Sequence, residues 1–268
     1  METEKTKIHF TAPYLISPTN PITVNLIGAG GTGSKVLTAL MEMNYSLIEL
    51  GHTGLSVRLW DDDIITSANL GRQRFAQSEV GLYKSVALIN RANRFMGTDW
   101  KAENVKFKKD TFGRLPKNAG AVIYISCVDS VQSRFEIADI LSKQKNHRYH
   151  RDEPKYWMDF GNSQHTGQVI LSTISEIKQP DSQMYETVAQ LPFVTEEFGE
   201  LLKLSESVDD TPSCSLTDAL EKQDLFINST LAQMGCSLLW NLFRHGMTEY
   251  RGFFLNLKYF QTQPLKVG

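Results

Sequence analysis

The chain has 268 residues, with 28 Lys and Arg against 30 Asp and Glu and a formal net charge of −2. At 41% hydrophobic and 22% charged residues it can bury a full core as one α/β domain, and its charge balance gives no reason to expect nucleic acid or a membrane as partner. No apolar run approaches the ~20 residues that span a bilayer, and the N-terminus METEKTKIHF carries charges where a signal peptide needs an apolar centre, so a cytoplasmic protein is expected.

Strand-like and helix-like runs alternate through the first two thirds of the chain, the pattern of a doubly wound, mostly parallel sheet with crossover helices. The first strand is expected over residues 23–27 and runs into the stretch NLIGAGGTGSK, Asn25 to Lys35. Gly28 and Gly33 have the spacing of the phosphate loop G-x-x-x-x-G-K-[ST], but that motif needs Lys directly after its last Gly. Here Ser34 precedes Lys35, which on a helix turns the ammonium about 100° away. Gly28, Gly30 and Gly33 also fit G-x-G-x-x-G. In that reading Gly28 makes a tight turn, Gly30 lets backbone approach phosphate, and Gly33 packs the helix close. The helix over 32–44 then aims its N–H groups and positive dipole end at an anion. The loop by itself does not separate NAD from ATP.

Residues 55–60 read as the second strand, ending in Asp61-Asp62-Asp63. A helix over 82–95 and a short strand over 104–107 follow. The stretch 121–128, AVIYISCV, is apolar almost throughout, as a strand buried on both faces should be. A helix over 131–145 opens after Asp129-Ser130 as N-cap, and further strands are expected over 156–160 and 168–174. After Gln179-Pro180-Asp181 the chain turns polar and loop-rich to about Pro212. A long helix over 223–244 and a strand pair over 250–259 close it. One continuous fold is expected, with a Rossmann-like part over 1–180 and a C-terminal helical and strand portion over 181–268.

The basic stretches around Lys106 and around His147 and His150 read as surface. The three cysteines, Cys127, Cys214 and Cys236, form no C-x-x-C. Their number excludes a tetrathiolate zinc site, and number and compartment together exclude a disulfide framework.

Asp61 sits at the end of the second strand, where a ribose-binding carboxylate belongs, although farther from the glycine loop than the usual ~20 residues. Beyond it, DDDIITSANLGRQRF places Asn69, Arg72 and Gln73, and Gly81-Leu82-Tyr83-Lys84 opens the next helix. A nicotinamide site has no use for this added Arg and Lys, whereas a triphosphate does: Arg72 can bind phosphate bidentately and Lys84 as a point charge. Asp129 lies just past the buried strand, where ligands of doubly wound sheets collect. A carboxylate there can hold Mg²⁺ together with phosphate oxygens.

The ordered set GAGGTGS, DDDxxxxxNLxRQ, GxxK and CxD followed by Arg134 resembles the ThiF/MoeB and ubiquitin-activating family. The stretch DTPSCSLTDALEKQDLFINSTLAQMG resembles in particular the ThiF-family proteins of PRTRC plasmid-type gene systems. The resemblance implies adenylation, with ATP and Mg²⁺, of the C-terminal glycine of a small ubiquitin-like or sulfur-carrier protein by a homodimer, the C-terminal part serving modifier binding and dimerisation. Carried over by motif, the loop glycines, Gly31 among them, and Asp61 with Asp63 hold the nucleotide, Asp61 at the ribose. Asn69, Arg72, Gln73 and Lys84 contact phosphates, and Asp129 the metal. In-line attack of a carboxylate on phosphorus needs positioning and charge neutralisation more than proton transfer.

The sequence departs from the family pattern in three places. The zinc tetrathiolate is absent; no Arg precedes Arg58, so the arginine that relatives take from the N-terminal segment of a partner subunit is either replaced by Lys5 or Lys7 as a point charge or missing; and Ser130 stands where an Asn is usual. Two roles are open to Cys214, a thioester nucleophile in a C-S setting or a structural thiol, while Cys127 and Cys236 read as packing. Two rival readings remain: a nicotinamide- or flavin-linked oxidoreductase, resting on the glycine loop alone, and a non-catalytic activating-enzyme-like scaffold.

Overall fold

A computed structural model describes residues 5–71, 73–111, 113–115, 118–144, 152–205 and 223–268. Arg72, Cys214, His147 and His150 lie outside the described residues. The strands are β1 (Thr6–Phe10), β2 (Ile22–Ile27), β3 (Leu55–Trp60), β4 (Lys101–Glu103), β5 (Ile123–Ser126), β6 (Tyr156–Asn162), β7 (Thr166–Thr173), β8 (Tyr185–Thr187), β9 (Met247–Thr248), β10 (Tyr250–Asn256) and β11 (Gln261–Lys266). The helices are α1 (Pro13–Ile16), α2 (Gly31–Glu49), α3 (Lys84–Met96), α4 (Val131–Gln144), α5 (Val194–Glu197), α6 (Gly199–Ser205) and α7 (Ile227–His245).

The central strands are apolar on both faces, and their alternation sets the layers. Val24 and Leu26 of β2, Ile123 and Ile125 of β5, and Met158 of β6 join the side chains of α2, α3 and α7 in one core. Ile27, Tyr124 and Trp157, one residue out of phase, join Ile137 and Leu141 of α4 and Val194 and Leu202 of α5 and α6 in the other. The result is an eight-stranded sheet, β11-β10-β7-β6-β5-β2-β3-β4, between two helical layers. From β4 to β6 the strands run parallel, and β7, β10 and β11 continue the sheet antiparallel. A second sheet, β8-β1-β9, is built from three short strands distant in sequence. No helix among the described residues is long and apolar enough to cross a membrane.

Several boundaries differ from expectation. α2 runs on to Glu49 because Asn44, expected at its end, is buried inside it, and its Oδ1 accepts the Leu55 N–H at 2.7 Å. The fourth strand lies at Lys101–Glu103, not 104–107. Trp100 is buried and donates from Nε1 to the Leu55 carbonyl, so pairing with β3 starts at the next residue; Val105 is exposed. β10 alone takes residues 250–256, and its partner β11 lies beyond the expected end, at Gln261–Lys266. There Pro264, which has no N–H to donate, is tolerated because β11 is an edge. The apolar face of α7, from Ile227 through Leu231 and Leu239 to Leu242, is buried within the chain in the core shared with α2. It therefore offers no apolar stripe to a second subunit.

Candidate functional site

Strand order reverses at β2: α2 leads to β3 on one side, and β5 pairs on the other. The crevice at the carboxyl ends of these strands is where doubly wound sheets take ligands. The glycine loop fills it. Gly28 has φ +98°, and a Cβ there would lie 2.6 Å from the Cys127 carbonyl oxygen, so the β2 and β5 loops touch only because this residue is glycine. A Cβ on Gly33 would lie 1.9 Å from the Gly28 carbonyl oxygen, which fixes how closely α2 sits on the loop. Gly30 is different. No atom lies within 4 Å of its Cβ position, so its glycine leaves open space at the start of α2, where the first helical N–H groups have no intrahelical acceptor.

Asp61 follows β3 and braces this loop. Its Oδ2 accepts the Ala29 N–H at 2.6 Å, and its Oδ1 accepts the Asp63 N–H at 3.0 Å. Burial raises its pKa, opposed by the Ala29 hydrogen bond and Lys84. The main chains of β3 and α3 are tied where the side chains meet: Lys84 donates its N–H to the Asp63 carbonyl, and Ser85 its hydroxyl to the Asp61 carbonyl. The Lys84 ammonium, buried, lies 2.7 Å from Asp63 Oδ2. Asn69 is taken up by its own turn, its Oδ1 accepting from the Thr66 N–H and hydroxyl. Gln73 is buried with an Oε1 that has no hydrogen-bond partner, beside a shallow cavity lined also by Gly71, Phe75 and Arg91.

Asp129 lies exposed three residues past β5. The helix cap expected of the pair Asp129-Ser130 is made by Ser130, whose hydroxyl oxygen accepts the Ser133 N–H at 3.2 Å. The loop carrying Asp129 is held from below. Arg134 donates from Nη2 to the Val128 carbonyl at 2.7 Å and to the Phe160 carbonyl at 3.1 Å, and its Nε donates to Asp159 Oδ2 at 3.1 Å. Asp159 Oδ1 accepts from the Ser126 hydroxyl at 2.6 Å. Among the described residues no three His, Cys, Asp or Glu side chains converge as a metal-ligand set. A Mg²⁺ ion held by one carboxylate and phosphate oxygens does not require such a set.

Burial pushes the Cys127 thiol well up, with Asp159 and Cys236 adding to the shift, and pushes Cys236 to about 12, so both are protonated packing groups. Of the early cations, Lys7 pairs with Glu186 at 3.8 Å across β1 and β8. Sequence reasoning missed Asn228 on α7, whose amide lies on the first turn of α2, and Asn162 at the end of β6, 3.4 Å from the Thr32 hydroxyl. The only local signal for Asn228 is a polar residue inside an apolar helical pattern.

This architecture, a glycine turn at the strand-order reversal with carboxylates past the flanking strand ends and a lysine at the start of α3, defines a doubly wound α/β protein of the activating-enzyme type. The chain belongs to the ThiF family, which its sequence matches over residues 20–266. No curated protein matches it. Among solved structures it resembles E. coli MccB, with a TM-score of 0.56, 14% identity, and 95% of this chain covered against 64% of that one. PaaA gives a TM-score of 0.57 at 13% identity, covering 92% of this chain and 64% of that one. E. coli MccB crystallised with ATP gives 0.55 at 16%, covering 95% and 65%. The chain thus spans less than two thirds of the length of these structures.

Proposed function

We propose that the protein adenylates the C-terminal glycine carboxylate of a small ubiquitin-like or sulfur-carrier protein. The carboxylate oxygen attacks the α-phosphorus of ATP, the bond to the bridging oxygen breaks, and pyrophosphate leaves. The observation that carries this reading is the open space at Gly30 on the N-terminus of α2, between Asp61 and Lys84 on one side and the Asp129 loop on the other. An anion fits a helix terminus backed by a buried cation. A family neighbour, MccB, has been crystallised with ATP and with MccA, which supports a nucleotide in this crevice.

In this reading Asp61 takes the ribose, and Gly28, Gly30, Gly31 and Gly33 shape the phosphate turn. Lys84 and Arg72 neutralise phosphate charge, Asp63 orients Lys84, and Gln73, which lines a separate shallow cavity, is assigned to the phosphates by its place in the family motif. Asp129 would hold Mg²⁺, which supplies charge neutralisation on phosphate oxygens. Asn69 serves the turn that carries these residues. Dimerisation rests on family membership, with the exposed Tyr45, Ile48 and Leu50 at the end of α2 as its apolar surface, and light scattering at micromolar concentration reads it.

The test is ATP–pyrophosphate exchange with ubiquitin-like proteins ending in glycine. Asp129→Ala is expected to abolish exchange with an unchanged circular dichroism spectrum, since the residue is exposed and makes no core contact. Wild-type exchange in that variant removes Asp129 from the metal role, and tight NAD binding without ATP binding overturns the whole reading. Thioester formation on Cys214 is a separate step: Cys214→Ala should keep exchange and lose any thiol-sensitive conjugate on a non-reducing gel. A conjugate that persists moves the nucleophile elsewhere.

A further inference from the structure

The first turn of α2 is fixed by a residue from the far end of the chain. Asn228, the second residue of α7, is 1% exposed. Its Oδ1 accepts the Thr32 hydroxyl proton at 2.7 Å, and its Nδ2 donates to Gln223 Oε1 at 2.9 Å. A Cβ on Gly31 would lie 2.7 Å from that Nδ2 and 2.9 Å from its Cγ. The amide therefore lies flat against the residue that opens α2. Gly31 is a glycine to admit Asn228, whereas Gly30, one residue earlier, has nothing near its Cβ position.

Thr32 is itself 5% exposed, and a hydroxyl has one proton to give. With that proton on Asn228, the Thr32 side chain is a strut and leaves the anion to the backbone N–H groups. We propose that Asn228 is a positioning residue for the nucleotide: acting through Thr32 and Gly31, it sets the first turn of α2 in its anion-binding geometry before the ligand arrives. The nucleotide part of this assignment rests on the adenylation reading above. Preorganised donors bind more tightly than donors that must be ordered on binding. A buried hydrogen bond left unmade is worth enough to weaken binding about tenfold.

Two measurements on the full chain test it. Without nucleotide, hydrogen exchange is read at the amides of Ser34, Lys35 and Val36, which bond back to residues 30–32, and at those of Leu40 to Leu47 as an internal reference. ATP affinity is read by calorimetric titration. Asn228→Ala and the near-isosteric Thr32→Val should each speed exchange at the first three amides, leave the reference amides unchanged, and raise the ATP Kd about tenfold. The double variant should be no worse than either single one, and Thr32→Ser, which keeps the hydroxyl, should behave as wild type. Wild-type exchange in Thr32→Val and in Asn228→Ala overturns the proposal, as does faster exchange with unaltered ATP affinity, which would leave Asn228 a packing residue only. If the wild-type protein fails to bind ATP while exchange responds as expected, the adenylation reading falls and Asn228 stands as the residue that sets the turn.

Discussion

Arg134→Ala isolates the support beneath the Asp129 loop. The guanidinium and the Asp159 carboxylate are 6% and 1% exposed, and the wild-type pair is satisfied on every side by Val128, Phe160 and Ser126. Removing the arginine leaves a buried carboxylate with the Ser126 hydroxyl as its remaining donor, along with two carbonyls deprived of theirs. Breaking a buried ion pair from one side costs about 3–5 kcal/mol. At roughly 2–4 °C per kcal/mol for a chain of this size, Tm should fall by about 6–20 °C. Urea unfolding should show a lower midpoint with an unchanged slope. Arg134→Met combined with Asp159→Leu, which removes both charges, should recover much of the loss. A single-variant loss below about 1 kcal/mol, or a double variant no better than Arg134→Ala, would refute the idea of a dry, uncompensated site. Because Arg134 grips Val128, the folded variant should also lose ATP affinity.

The two loop glycines should separate stability from binding. Gly33→Ala drives a methyl into the Gly28 carbonyl and should cost at least about 1–3 kcal/mol in unfolding. Gly30→Ala meets nothing within 4 Å and should leave Tm in place while weakening ATP in titration; equal stability losses in both would contradict the geometry. His9 is held neutral: Nδ1 donates to the Val188 carbonyl at 2.6 Å, Nε2 accepts from the Tyr156 hydroxyl at 2.9 Å, and burial lowers its pKa. The unfolded chain takes up that proton from about pH 6.5 downward. Stability is therefore full above that pH and should fall as pH drops through it, by at most about 1.4 kcal/mol per unit. His9→Gln should flatten this slope between pH 6.5 and 5, and an unaltered slope would show that His9 is not its source.

What the sequence determined by itself is local. β5 could be read from a run apolar on both faces, β2, β3, β6 and β7 from strand-like runs alternating with helical ones, and the glycine turn from spacing, because dihedral freedom and side-chain period are properties of neighbouring residues. The placement of Asp61 and Asp129 past strand ends followed from the same reading, since a strand end is where its apolar run stops, and Lys84 was placed at the opening of the next helix. Tertiary structure alone decided what depends on distant closure. β1 is a strand because residues 185–187 and 247–248 come to pair with it. α7 spends its apolar face within the chain, against the α2 side of the sheet, so its hydrophobicity announced a core and not a subunit interface. Ser130, not Asp129, caps α4, which leaves the carboxylate outside the helix start. Gly31 must be glycine because Asn228 lies on it, and Asn228 meets Thr32 across a separation of 196 residues. No local pattern encodes such a contact, because it exists only once the sheet has brought α2 and α7 to the same face.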